Sequence, residues 1–430
     1  MGFLTSAYSP TASIKRGRYL LIEALCEKND RETSMDISTV IRGISFSALM
    51  AIGSFSFAEG GQPLNMNEIP PSLDESTIRS ICGITTDWQD VESYDGRLGP
   101  TIDFVNTHQG AVGQVRWNNN LAAMYNNPGN VNNVRWCTGT LLTNNLFITA
   151  GHCFDGETND GVGWDAPIDN ATGQTITSAQ HATNMHVEFN HQFDVNGVLQ
   201  TVTSFDITNL LEFRLGGLDY AVLQLGGNPN SQFPSASLSA VIPGQGDQLT
   251  IIQHPRGIPK VITAGRYDGI EQNDGLAGYM RYVNLDTAGG SSGSGVLDDL
   301  GRLVGVHTNA GCTATGGANH GVLNSDIELA STEVAQRIDN DGDGLSNWHE
   351  RQLGTNVDLS DTDNDGIDDK WESDNGLDPL STNDAWFDPD NDGYTNLQEY
   401  EEDTDPNNPS SNPQTKIAAI LVAIISLLLN

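Results

Sequence analysis

The sequence predicts a mainly β protein that ends in a loop-rich acidic segment, and three observations carry that prediction. The chain holds 46 glycines in 430 residues, with few charges across its middle, which suits short strands joined by turns. Leu141-Leu142, Asn144-Asn145 and Leu146-Phe147-Ile148 read as strand, turn and strand, and Ala221, Leu223 and Leu225 alternate along a strand opened by Asp219. Beyond Asp339 an Asp-x-Asp-x-Asp-Gly pattern recurs three times. Acidic residues number 56 against 20 basic ones, a formal net charge of −36. Such a chain is repelled by nucleic-acid phosphates and anionic membrane surfaces, which argues against both as electrostatic partners.

At the N-terminus, Met1 opens no leader, whereas Met35 does. One basic residue, Arg42, precedes an apolar stretch over 44–57, and Ser56-Phe57-Ala58 before Glu59 places small residues where signal peptidase needs them. Residues 35–58 are therefore expected to be a signal peptide, with 1–34 an extension upstream of the true start. The apolar run is too short and too rich in Ser and Gly for a membrane span. Residues 59–81 read as a pro-segment or linker. Of five cysteines, Cys26 lies upstream of the leader. Cys82, Cys137, Cys153 and Cys312 form an even set in a chain expected to be secreted, so two disulfides are expected, with three possible connectivities.

Three blocks carry chemistry. Ala150-Gly151-His152-Cys153 sets a histidine at the end of an apolar run, Leu218-Asp219-Tyr220 sets a carboxylate at the start of a strand, and Gly289-Gly290-Ser291-Ser292-Gly293-Ser294-Gly295 sets serines in a glycine-rich turn. Base, orienting carboxylate and nucleophile thus follow in the order His, Asp, Ser. In all three blocks the chain resembles the trypsin-like, chymotrypsin-fold serine proteases. The resemblance implies two antiparallel six-stranded β-barrels over 82–335, with His152, Asp219 and Ser292 in the cleft. It implies an oxyanion hole from the Gly290 and Ser292 amides, and catalysis without a cofactor. Ser294 competes as nucleophile, but the motif register favours Ser292. Gly295 stands where the family usually has Pro, and Ser291 where trypsin has Asp, so activation by a buried new N-terminus is not expected. Bacterial glutamyl endopeptidases lack that Asp too and are the closer match. A Cys137–Cys153 bridge would staple the loop carrying His152, and Cys82–Cys312 would tie the N-terminal segment behind the nucleophile, as in lysyl-endopeptidase-like bacterial proteases.

The substrate pocket is pulled two ways. Asp286 lies six residues before Ser292, where trypsin keeps the carboxylate that binds Lys or Arg. Thr287 lies five before it and His307 fifteen after, the spacing by which glutamyl endopeptidases hold an acidic side chain. An acidic P1 residue is the expectation, with Asp286 alternatively capping the following turn.

The acidic repeats place Asp339, Asp341, Asp343 and Glu350 in one loop, Asp361, Asp363, Asp365 and Glu372 in a second, and Asp388, Asp390, Asp392 and Glu399 in a third. Alternate carboxylates, a glycine at position 6 and a glutamate at position 12 suit calcium. The loops start 22 and then 27 residues apart (361 − 339 and 388 − 361), too close for two flanking helices each. They resemble thrombospondin type 3-like repeats, with structural calcium over 336–410. Residues 407–415 read as a linker. Residues 417–429 are apolar, like the end of a surface-sorting signal or a short anchor, and Asn412-Pro413-Gln414-Thr415 resembles a sortase motif. The expected protein is a monomeric, secreted or surface-attached endopeptidase acting on proteins or peptides. The rival is a calcium-dependent adhesion protein with an inactive protease-like domain, and an esterase on the same fold is a further alternative.

Overall fold

Strands rich in Val, Ile, Leu, Thr and aromatic residues close into two six-stranded antiparallel barrels. The computed structural model describes residues 80–156, 163–273 and 276–428, all within one compact unit, Gly60–Asn430. The expected extension 1–34, the leader 35–58 and residues 59–79 lie outside the described residues. A two-residue strand β1 (Gln89–Asp90) and a helix α1 (Ile102–His108) lead in. The first barrel runs β2 (Val112–Trp117), β3 (Arg135–Leu141), β4 (Leu146–Thr149), β5 (Met185–Phe189), β6 (Thr203–Arg214) and β7 (Tyr220–Leu225), in the closed order β2-β3-β4-β7-β6-β5. Two short helices, α2 (Leu121–Met124) and α3 (Ser178–Thr183), decorate it. The second barrel runs β8 (Gln248–Gln253), β9 (Val261–Asn273), β10 (Leu276–Val283), β11 (Gly295–Leu297), β12 (Leu303–Asn309) and β13 (Asn319–Leu323). Its order is β9-β10-β13-β12-β11-β8, closed by pairing of β8 with β9, and β1 adds to the outer edge of β9.

The expected strand–turn–strand is β3–β4. Its turn places Asn144 and Asn145 at φ 59° and 57°, a conformation Asn tolerates better than most residues. Each barrel has its own apolar filling: Trp117, Phe147 and Phe189 in the first, Ile251, Met280 and Val296 in the second. A third cluster joins them, packing Ile148, Tyr220 and Val222 against Ile252, Leu303 and Val306. It extends to Val334 and Ile338, at the end of two helices, α4 (Asn324–Ala330) and α5 (Thr332–Arg337). Both expected disulfides form, Cys137–Cys153 and Cys82–Cys312.

Each acidic loop is followed by one short helix, α6 (Asn347–Leu353), α7 (Asp369–Asn375) and α8 (Asn396–Glu402), as the spacing requires. The last helix, α9 (Pro413–Leu428), starts inside the stretch expected to be linker. Asn412 accepts from the Thr415 N–H and Pro413 supplies a fixed φ at the first helical position, so Asn-Pro-x-Thr here is a helix cap. No helix among the described residues is long and apolar enough to cross a membrane.

Candidate active site

The antiparallel pairing of β4 with β7 sets Thr149 opposite Ala221, so the residues just beyond these strand ends meet. Asp219 thereby holds His152 twice. Its Oδ1 accepts the His152 backbone N–H at 2.8 Å, and its Oδ2 lies 2.6 Å from Nδ1. The Asp219 side chain is 9 % exposed and that of His152 39 %, so a buried carboxylate orients an open imidazole. A proton fixed on Nδ1 leaves the Nε2 lone pair free to take another. The Cys137–Cys153 bridge pins the turn that carries His152. Because both sulfurs are in that bridge, Cys137, His152 and Cys153 do not form a metal site despite their proximity.

The serine turn packs on this same region. Thr138 of β3 donates its N–H to the Ser292 carbonyl (2.9 Å) and its hydroxyl to the Gly290 carbonyl (2.7 Å). Gly293 has φ 86°, and a Cβ there would lie 1.9 Å from the Thr149 hydroxyl and 2.7 Å from the Ala150 nitrogen. Only glycine permits that approach, which brings the turn against the residues leading into His152. Three serines compete in the turn, and their contacts separate them. Ser291 is fully buried and accepts from the Ala288 N–H, while Ser294 is fully buried and donates to the Ser291 carbonyl. Ser292 is partly exposed, and its hydroxyl is uncommitted among the described residues. The Gly290 and Ser292 amides likewise donate to nothing among the described residues.

His254 has a structural role. It is wholly buried, stacks on His191 at 5.5 Å, and presents its carbonyl where a Cβ on Gly290 would meet it at 2.8 Å.

The pocket residues divide. Asp286 is buried and accepts the Cys82 N–H (2.7 Å) on one oxygen and the Asp87 N–H (3.0 Å) on the other. Its contacts anchor the N-terminal segment and do not cap the following turn. Burial pushes its carboxyl up to about 6, against the pull of the N–H donors. Asp286→Ala is expected to destabilise the fold by about 3 kcal/mol, read from denaturant unfolding, because the part-buried Cys82 and Asp87 N–H groups are left without an acceptor. Thr287 is buried, and its hydroxyl has no partner among the described residues. His307, on β12, is buried beneath the serine turn; its N–H donates to the Ser294 carbonyl (2.8 Å) and its carbonyl accepts from Gly293 (2.7 Å). Its Nδ1 meets the Tyr282 hydroxyl and lies 3.1 Å from the His320 carbonyl. Burial, with the neighbouring His152, holds His307 down at about 3. Tyr282 carries no motif, and only its place on β10 opposite β13 brings it here.

The acidic loops share one geometry. In each, the first Asp accepts the N–H of the position-6 glycine: Gly344, Gly366 and Gly393, at 3.0, 2.9 and 3.0 Å. The carboxylates of Asp339, Asp341 and Asp343 converge, as do those of Asp361, Asp363 and Asp365 and those of Asp388, Asp390 and Asp392. Glu350, Glu372 and Glu399 are 0 % exposed, and both carboxylate oxygens of the first two lack a hydrogen-bond partner among the described residues. Burial and neighbouring carboxylates push Glu350 up to about 8, Glu372 to about 9 and Glu399 to about 7. Orphaned, mutually repelling oxygens fit a hard divalent cation such as calcium. The sequence reading omitted Asp384, which joins Asp365 and Glu372 from the turn between the second and third loops. It sits outside the repeating pattern, so no spacing marks it.

Comparison with known proteins agrees with this layout. Residues 137–306 match the family model described as trypsin-like peptidase domain. Residues 339–356, 361–382 and 388–409 match that of the bacterial TSP3 repeat. No curated protein matches the chain. Among solved structures, the active form of the Rv3671c protease from M. tuberculosis aligns at 14 % identity and TM-score 0.36, over 57 % of this chain and 89 % of that one. An HtrA-type protease, AlgW, with a tripeptide aligns at 16 % identity and TM-score 0.34, over 54 % and 61 %. The peptidase match spans His152, Asp219 and Ser292, and the repeat matches span the three acidic loops, so residues 137–306 are similar to trypsin-like peptidase domains and residues 339–409 to bacterial TSP3 repeats.

Proposed function

We propose that this protein is a secreted or surface-attached serine endopeptidase that cleaves after acidic residues. The observation that carries the reading is the double hold of Asp219 on His152, beside a turn in which, among the described residues, the Ser292 hydroxyl alone is left without a partner. In the mechanism, His152 takes the Ser292 proton through Nε2 as the oxygen attacks the scissile carbonyl, and later delivers it to the leaving amine. Asp219 stabilises the imidazolium formed between these steps. The unpaired Gly290 and Ser292 amides receive the oxyanion, a contribution of about 3 kcal/mol per donor in such sites. Water then hydrolyses the acyl-enzyme.

The P1 side chain is assigned to the pocket of Thr287 and His307, with Asp286 in an anchoring role. With both oxygens on backbone N–H groups, Asp286 is poorly placed to bind Lys or Arg. Calcium is assigned to the three acidic loops and the apolar α9 to surface attachment, neither taking part in the chemistry. Matched peptides with Glu, Asp, Lys or Arg at P1 test the specificity, and Glu or Asp is expected to be cleaved fastest. Preference for Lys or Arg overturns the acidic reading while leaving the peptidase intact. Failure of a fluorophosphonate probe to label Ser292 favours the adhesion reading.

A further inference from the structure

We propose that Tyr282 is a positioning residue for P1 recognition: by donating its hydroxyl proton to His307 Nδ1, it turns Nε2 of a neutral His307 into the donor that receives the substrate carboxylate. This rests on the acidic-P1 reading above and adds to it the group that makes an uncharged histidine fit for the task.

Three groups meet behind His307: its own Nδ1, the Tyr282 hydroxyl and the His320 carbonyl. Nδ1 contacts the other two, and the hydroxyl lies 2.8 Å from the carbonyl. With His307 neutral, the imidazole and the phenol hold one proton each. If the imidazole proton sits on Nδ1, it donates towards the two oxygens and the phenol donates to the carbonyl. Nε2 then carries only a lone pair, which repels a carboxylate. If the hydroxyl turns and donates to Nδ1, the imidazole proton moves to Nε2, and the histidine presents a donor without acquiring charge.

The carbonyl cannot make that exchange alone, because it only accepts. Without the phenol, Nδ1 must keep its proton and Nε2 cannot donate while the ring is neutral. Protonating the ring is the other route to a donor, and the surroundings oppose it. His307 and Tyr282 are both buried, and His152 lies close enough to disfavour a second positive charge. The same burial keeps the phenol protonated and able to donate. His320 turns its own ring away, with Nε2 3.1 Å from Glu271, and contributes only its carbonyl to the cluster.

The test compares paired substrates identical except for Glu or Gln at P1. Tyr282→Phe keeps the ring and removes the hydroxyl, and is expected to lower the Glu-to-Gln ratio of kcat/KM by about tenfold or more, the cost of one hydrogen bond to a charged group. Cleavage after Gln should change little, since a neutral amide pairs with either tautomer. A ratio within about twofold of wild type overturns the tyrosine's role, on the same scale. A wild type with no preference for Glu over Gln instead overturns the acidic reading on which it rests. Nitrogen-15 NMR of the wild-type protein gives a readout independent of how the variant folds. With the His307 signals assigned by their loss in His307→Gln, a product peptide ending in Glu should shift the proton from Nδ1 to Nε2. A His307 that keeps Nδ1 protonated, or becomes doubly protonated, in that complex overturns the proposal.

Discussion

Ser292→Ala is expected to lower kcat for peptide hydrolysis by a factor on the order of 10⁶, while fluorophosphonate labelling disappears and the circular dichroism spectrum is unchanged. The nucleophile and the base act as one unit, so His152→Ala should cost about as much, and the double variant little more than either alone. Asp219→Asn is the more discriminating substitution. It keeps the size of the side chain and can preserve the bond to the His152 backbone N–H. An amide nitrogen facing Nδ1, however, favours the tautomer with its proton on Nε2, and the base is then blocked. A loss of about 10⁴ in kcat is expected on that ground. Ser294→Ala and Ser291→Ala should instead report on stability, because those hydroxyls already serve the turn itself. Labelling that survives Ser292→Ala and vanishes in Ser294→Ala would move the nucleophile two residues along and displace the assigned oxyanion donors.

Much of this arrangement was legible in the sequence because its residues stand in local patterns. His152 is marked by the strand before it and the cysteine after it, Ser292 by glycines that a sharp turn requires, and the acidic loops by a recurring twelve-residue spacing. Both disulfides followed once the family resemblance was in hand. What escaped is what the barrels bring together from afar. The spacing of Asp286 suggests a pocket base, yet its carboxylate is fixed by Cys82 and Asp87, about 200 residues upstream. Tyr282 reaches His307 only because β13 lies between their strands in the closed barrel. Asp384 enters a loop whose motif ended 12 residues earlier. Residues 412–415 look like linker by composition, because Asn, Pro and Thr favour both turns and helix starts, and the choice depends on the apolar run that follows.

Stripping calcium is expected to lower the melting temperature of the two-barrel part itself by about 10 °C, with the first acidic loop carrying nearly all of the effect. The three loops look equivalent in sequence but differ in what they touch. Asn340 lies between Asp339 and Asp341, and its side chain accepts the Leu238 N–H (3.1 Å) and donates to the Leu238 carbonyl (3.0 Å). Leu238 bridges to Leu303 at the start of β12, the strand whose His307 backbone clamps the serine turn. Ile338, the residue before the loop, packs in the cluster that joins the barrels, and Arg351 on α6 pairs with Glu328 on α4. The residues matching Asn340 in the other loops have no such role: Thr362 bonds Asp369 within its own repeat, and proline occupies position 389. Without a cation, the buried and unpartnered Glu350 must either take up a proton or repel Asp341 and Asp343, and the cost falls on a loop tied into the barrel interface. Calcium at about a thousand times its dissociation constant adds about 4 kcal/mol to whatever unfolds with its site. Calorimetry with and without chelator should therefore show the barrel transition shifting in wild type and in Asp390→Asn, but hardly in Asp341→Asn. Asn340→Ala should still bind calcium in the first loop, by terbium luminescence, yet lose most of the shift. Equal shifts in the Asp341 and Asp390 variants would remove the first loop's special role, and no shift even in wild type would mean that the repeats and the barrels melt as separate bodies.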